Sequence, residues 1–127
     1  MKFIYWNIRG LNGRGKQRYI RDYIRKEKPK IVIIQETKLL GEKMNKVVGF
    51  CWKGCKLMSI DAIGYIGGLV VWWNPQMVLF QERFTLTRIL TSKFWHMGTK
   101  DYIFLSVIYG PSSPSKMRFS LKQLHDM

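Results

Sequence analysis

Lys2-Phe-Ile-Tyr-Trp6 and Ile31-Val-Ile-Ile-Gln35 are the stretches whose reading decides the fold. Each is a short, almost wholly apolar run of strand length, the pattern of an interior strand covered on both faces of a sheet. Between them, Ile8 to Gly15 is rich in Gly and Asn and reads as a loop. From about Lys16 to Glu27, Tyr19, Ile20, Tyr23 and Ile24 fall on one stripe of a helix, and Pro29 ends it. A strand, a helix and a strand joined by short loops predict a layered α/β arrangement with the helix packed on a sheet.

Beyond this unit, from Val47 onward, the spacing predicts strands in close succession: Lys56 to Ile60, Leu69 to Trp73, Met77 to Thr87, Lys93 to Met97 and Tyr102 to Tyr109. Gly64 with Gly67 and Gly68, Asn74-Pro75, and Gly98 mark the turns. Gly110-Pro-Ser-Ser-Pro-Ser115 reads as a loop, with Ser115 as the N-cap of a final helix starting at Lys116. No repeat and no shift of composition marks a second domain, so residues 1–127 are read as part or all of a single domain.

The composition is that of a folded protein, 46% hydrophobic and 24% charged, with no low-complexity tract. Its formal net charge of +14 favours polyanionic partners without choosing between DNA, RNA and an anionic surface. Asn7 and Arg9 interrupt the apolar start, which therefore fails as a secretory signal, and the protein is expected to be intracellular. The longest apolar runs, Ile31 to Ile34 and Leu69 to Trp73, are strand-sized, so no membrane span is expected. Cys51 and Cys55, with His96 and His125 far along the chain, do not make a four-ligand zinc pattern and read as free thiols.

Two constellations could carry chemistry. Gly10 to Lys16 fits the G-x-x-x-x-G-K part of a phosphate-binding loop between strand and helix, yet Gln17 stands where Ser or Thr would hold Mg²⁺, which argues against nucleoside triphosphate binding. The other is Asn7 with Glu36, each at the C-terminal end of an apolar strand. If those strands are neighbours, the two side chains converge. Mg²⁺ takes one or two carboxylate oxygens plus waters and substrate phosphate, which suits Glu36, while an amide such as Asn7 can orient a carboxylate or a phosphate oxygen. The plain alternative is a strand-end turn residue and a surface acid or helix cap. On position alone both readings stand.

Trp6-Asn-Ile-Arg-Gly-Leu11, Lys28-Pro-Lys-Ile-Val-Ile-Ile-Gln-Glu-Thr-Lys38, Gly67-Gly-Leu-Val-Val-Trp-Trp73 and Val107-Ile-Tyr-Gly-Pro111, in this order, resemble the endonuclease/exonuclease/phosphatase family. Their spacing is most similar to the N-terminal endonuclease of plant LINE-type (non-LTR) retrotransposons. The resemblance implies a DNase I-like four-layer α/β/β/α sandwich that nicks DNA with Mg²⁺ (or Mn²⁺), supplying a primer end for reverse transcription in the nucleus. It implies that Glu36 binds the metal, that Asn7 helps to position it and serves catalysis, and that Tyr109 faces the scissile phosphate. Arg9, where abasic-site nucleases of the family have an acid, fits the retrotransposon group. Ile66 replaces a serine common there.

The later motifs of the family, an Asp-x-Asn and a closing Asp-His pair that supplies the general base, do not occur in these 127 residues; His125-Asp126 is reversed in order. The expectation is therefore a truncated or degenerate copy, or a piece of a longer polyprotein, with little activity by itself. A non-catalytic nucleic-acid-binding remnant and a phosphoesterase for another substrate are the rival readings. Arg14, Lys16, Arg18, Arg21, Arg25, Lys26, Lys28 and Lys30 make the first helix basic, either as phosphate contacts or as a solvated outer face. Trp6, Trp72 and Trp73 are read as core.

Overall fold

The structure is a computed structural model that describes residues 2–8, 10–35, 37, 41–60, 69–86, 89–108 and 116–123. Two compact units divide the chain, Met1–Asn74 and Pro75–Met127. The first holds β1 (Phe3–Asn7), α1 (Arg14–Glu27), β2 (Ile31–Gln35), α2 (Gly41–Cys51), β3 (Lys56–Ile60) and β4 (Leu69–Trp73). Its sheet has the order β1-β2-β4-β3, with β1 and β2 parallel and the other pairs antiparallel.

The apolar runs sort onto this sheet as their period of two requires. Ile4 and Trp6 lie in register with Val32 and Ile34, which face Trp72 and Val70 in turn, so these side chains share one face of the sheet. That face carries the helices: Ile20 and Ile24 of α1 and Met44, Val47, Val48 and Cys51 of α2 join Val32, Ile34, Val70 and Trp72 in one core cluster. Ile31, Ile33, Leu69 and Val71 on the opposite face are equally buried, which is why β2 and β4 read as unbroken apolar runs. At about 1.5–3 kcal/mol for each fully buried aliphatic side chain, these two strands supply much of the unit's stability.

α1 begins two residues earlier than the periodicity predicts and ends where Lys28 adopts a left-handed φ of 49°, its N–H donating to Ile24 O at 2.8 Å. Pro29 follows at once. Lys2 pairs with Glu27 across the ends of β1 and α1, and the Lys2 ammonium holds the Glu27 carboxyl below its usual range. The expectation of strand signals from Val47 onward is corrected: Val47 to Cys51 closes α2. Met44, Val47, Val48 and Cys51 recur at helical spacing and are all buried, so the apolar stripe winds rather than alternates.

The second unit is an antiparallel meander of β5 (Val78–Leu86), β6 (Ile89–His96), β7 (Asp101–Ile108) and β8 (Lys116–Gln123) in that order. Leu90, Ser92 and Phe94 of β6 lie opposite Val107, Leu105 and Ile103 of β7 and form its buried face. On the other face Lys93 Nζ sits 4.2 Å from the Tyr102 ring centroid, and Thr91 Oγ1 meets Ser106 Oγ at 2.9 Å. The β6–β7 turn is held by His96, whose Nδ1 accepts the Thr99 N–H at 3.2 Å.

The final helix from Lys116 is also corrected, because the segment is β8. Lys116-Met-Arg-Phe-Ser-Leu-Lys-Gln123 alternates polar and apolar residues, and Met117, Phe119 and Leu121 fall in register with Val107, Leu105 and Ile103. The proposed cap Ser115 and the His125-Asp126 pair lie outside the described residues.

Candidate functional site

Parallel pairing of β1 with β2 places Asn7 opposite Gln35, the last residue of each strand. Ile8 extends the ladder by donating its N–H to Gln35 O at 3.0 Å. The C-terminal ends of the two strands thus lie side by side, the edge at which open α/β sheets commonly place ligands. Asn7 is exposed there, whereas Gln35 is 3% exposed. Its Nε2 has no hydrogen-bond partner among the described residues. A buried amide donor in that condition is costly unless an acceptor such as a carbonyl, a water or a carboxylate completes it.

Glu36 follows Gln35 directly and Tyr109 follows Ile108, the last residue of β7, but both lie outside the described residues. The structure therefore brings Asn7 to the end of the strand that leads into Glu36. Among the described residues no cluster of three His, Cys, Asp or Glu could hold a metal ion. The described donors, one exposed amide beside one buried amide, fit a hydrated Mg²⁺ site only where a carboxylate joins them.

The glycine-rich loop is closed from within. Leu11 is fully buried and donates its N–H to Thr37 O at 2.9 Å. Gln17 turns its Nε2 back to Leu11 O at 2.8 Å and to Asn12 O at 3.3 Å. Lys16 Nζ donates to Gly10 O at 3.1 Å. In a triphosphate loop the backbone N–H groups converge on the ligand. Here the Gln17 and Lys16 side chains instead bond the loop's own carbonyls, and Gln17 has a structural task in the place of the missing Ser or Thr. A glutamine on the buried stripe of a helix was the available signal for this role.

Behind the loop, Trp6, Asn7, Ile8, Lys16, Tyr19 and Ile20 line a cavity of about 360 Å³. Trp6 meets Tyr23 edge-on at 5.3 Å, and Tyr23 stacks on Tyr19 at 6.2 Å. Tyr19 itself is 65% exposed, so the predicted stripe of α1 buries its isoleucines and leaves this tyrosine outside. On the α1–α2 side a cavity of about 210 Å³ is bordered by Arg14, Lys43 and Lys46, with Arg14 and Arg21 stacked 4.5 and 4.8 Å from the Phe50 centroid. Arg14, Lys16, Arg18, Arg25, Lys26 and Lys28 are exposed. Trp72 and Trp73 are buried, whereas Trp6 is half-buried.

Cys51 and Cys55 are free thiols. Burial pushes Cys51 up to about 11, against the pull of Arg21 and Arg14. Burial, with the neighbouring Cys51, pushes Cys55 up to about 12. Neither is a thiolate nucleophile near neutral pH. Among the described residues no helix is long and apolar enough to cross a membrane.

No protein-family model matches the sequence, and no curated protein matches it. Solved structures do. D. rerio TDP2 complexed with a single-strand DNA product aligns at TM-score 0.62 and 20% identity, over 87% of this chain and 47% of that one. A D. rerio TDP2 humanized by 14 mutations aligns at TM-score 0.60 and 18% identity, over 86% of this chain and 51% of that one. The AP endonuclease LMAP from Leishmania major aligns at TM-score 0.51 and 19% identity, over 92% of this chain and 38% of that one. TDP2 and AP endonuclease are members of the DNase I-like endonuclease/exonuclease/phosphatase superfamily, and the expected mixed α/β fold of that type, with two sheets and few helices, is the fold of this chain. The chain spans about half the length, or less, of these three structures.

Proposed function

We propose that residues 1–127 are the N-terminal part of a single Mg²⁺-dependent phosphodiesterase domain that cleaves DNA, of the kind carried by LINE-type retrotransposons. The observation that carries this reading is the pairing of Asn7 with Gln35 at the C-terminal ends of two parallel strands, which sets the Asn7 amide beside the entry to Glu36. In this reading Glu36 holds the metal, Asn7 orients the carboxylate and the phosphate, and the buried Gln35 amide donates to the Glu36 carboxylate or to a phosphate oxygen. Tyr109 donates from its phenol to the phosphate as charge develops. Mg²⁺, or Mn²⁺, supplies charge neutralisation at the phosphate when bound.

A net charge of +14 and the exposed cations of α1 support a polyanionic substrate. The family's Asp-x-Asn and Asp-His patterns are not found in these residues, so the base that activates water must come from elsewhere, and nicking by the 127-residue chain is slow. The test combines two readouts. Mn²⁺ binding followed by electron paramagnetic resonance is expected to weaken at least about tenfold in Glu36→Ala, the order expected for removal of a charged ligand. Mg²⁺-dependent nicking of supercoiled plasmid is expected to be slow in the wild type and absent in the variant. Equal metal binding and equal nicking by the two proteins would remove Glu36 from the site. Salt-sensitive DNA binding without metal binding would shift the reading to a non-catalytic nucleic-acid-binding remnant.

A further inference from the structure

Apart from the Asn7–Gln35 pair, the two helices of the first unit gather a second set of polar groups. Arg14, Gln17 and Arg21 of α1 recur at steps of three and four residues, as do Lys43, Lys46 and Phe50 of α2, so each set lies along one face of its helix. The two faces meet. The Arg14 and Arg21 guanidinium carbons stand 4.5 and 4.8 Å from the Phe50 ring centroid, and Asn12, Arg14, Lys43 and Lys46 border the cavity of about 210 Å³.

The charges there are not neutralised from within. Arg21 is paired with Asp22, but among the described residues no carboxylate stands at ion-pair distance from Arg14, Lys43 or Lys46, and none borders the cavity. These three cations and Asn12 are all exposed, so their donors are open to a ligand. The floor beneath them is fixed: Gln17 is buried and bonded to the Leu11 and Asn12 carbonyls. Arg14, held over Phe50, has less rotamer freedom to lose when it binds an anion. Three cations and an amide around one small cavity make a preformed site for an anion.

Size and charge select the anion. Cavities that enclose a drug-sized ligand run from about 300 to 1,000 Å³, so this one takes a headgroup and leaves the remainder of the ligand outside. Facing three cations, a doubly charged group gains more than a singly charged one. A phosphomonoester carries a charge of about −1.5 to −2 near neutral pH and offers three acceptor oxygens, whereas a diester linkage or a carboxylate carries a single charge. Those oxygens match donors that arrive from α1, from α2 and from the loop before α1.

We infer that Asn12, Arg14, Lys43 and Lys46 form a binding site for a phosphomonoester dianion, the terminal phosphate of a nucleic-acid strand or of a free nucleotide. The site draws on none of Asn7, Glu36 and Tyr109, and it stands whether or not Glu36 binds metal.

The probe is a hexathymidylate labelled with fluorescein at its 3′ end, prepared with a 5′-phosphate and with a 5′-hydroxyl. Each form is titrated with the 127-residue protein in EDTA, so that no bound metal contributes, and read by anisotropy. The 5′-phosphate form is expected to bind about tenfold tighter, the order set by one or two added charge-assisted hydrogen bonds. Lys43→Gln combined with Lys46→Gln, at exposed positions and with circular dichroism to verify the fold, is expected to abolish most of that preference. Lys53→Gln combined with Lys56→Gln removes the same charge from exposed positions that do not border the cavity and is expected to keep it. Displacement of the 5′-phosphate form by adenosine monophosphate, and not by adenosine, would support a free nucleotide as the source of the phosphate; resistance to both would support a strand end. Equal binding of the two oligonucleotides would overturn the inference. So would an equal loss of preference in the two double variants, which would reduce the effect to overall charge.

Discussion

The first sheet and the meander use strands in opposite ways. β2 and β4 are buried at every position, whereas β6 and β7 largely alternate buried and partly exposed residues. The difference shows how the protein divides its work. A strand covered on both faces cannot slip or bend without loss, so β2 is a rigid partner that fixes the end of β1, and with it Asn7, through the register with Gln35. An alternating strand fixes its register through one face and leaves the other free for contacts such as Lys93 on Tyr102.

The largest break in that comparison is expected from Trp72→Ala, which empties a fully buried position shared by the sheet and its helices. It should cost about 3–5 kcal/mol in urea unfolding, against a change within about 0.5 kcal/mol for Phe84→Ala at a 50%-exposed position of β5. Similar losses for the two would erase the distinction between the sheets.

Next in size is Gln17→Ala. It leaves the Leu11 and Asn12 carbonyls without their donor and should cost about 1–3 kcal/mol, with faster amide exchange in the loop from Gly10 to Gly13. An unchanged melting temperature would mean that the loop holds its shape without Gln17.

A smaller effect is expected from the thiols, which belong to the first unit alone. Cys51 and Cys55 are pushed up to about 11 and about 12 by burial, so the folded state keeps protons that the unfolded chain releases from about 9. Their contribution is full below pH 9 and falls as pH rises through that window, levelling above the folded values. Denaturation of the wild type between pH 8 and 11, set against Cys51→Ala, should show a shallower decline in the variant; parallel curves would assign the alkaline loss to other groups. The smallest expected change is the Phe84→Ala difference itself, because half of that ring already meets solvent.

Much of this architecture was legible in the residues. Lys2 to Trp6 and Ile31 to Gln35 announced strands because each holds four consecutive apolar side chains in a strand-length run bounded by loop or helix signals, and Pro29 announced the end of α1. The stripe Met44, Val47, Val48, Cys51 was equally available but short, and the strand signals after it overshadowed it. Lys116 to Gln123 alternates cleanly, yet a serine followed by a lysine-rich segment imitates a capped helix. Local propensity is weak there, and pairing with β7 decides the matter.

The candidate site was legible only as chemistry: an amide, a carboxylate and a phenol at strand ends. The DNase I-like fold gives that chemistry a setting, and the pairing of β1 with β2 gives Asn7 its position.

By itself, then, the sequence determined the strand and helix content around residues 2–35, the polyanion-seeking charge and the inventory of polar groups, because these depend on side-chain type and spacing along one chain. Tertiary structure alone decided the rest. It set Asn7 in register with Gln35 and turned Gln17 from a failed phosphate-loop residue into the clamp on its loop. The register depends on hydrogen bonds between strands distant in sequence, and the clamp on a buried side chain turning back to carbonyls five and six residues earlier, and no local pattern encodes either choice.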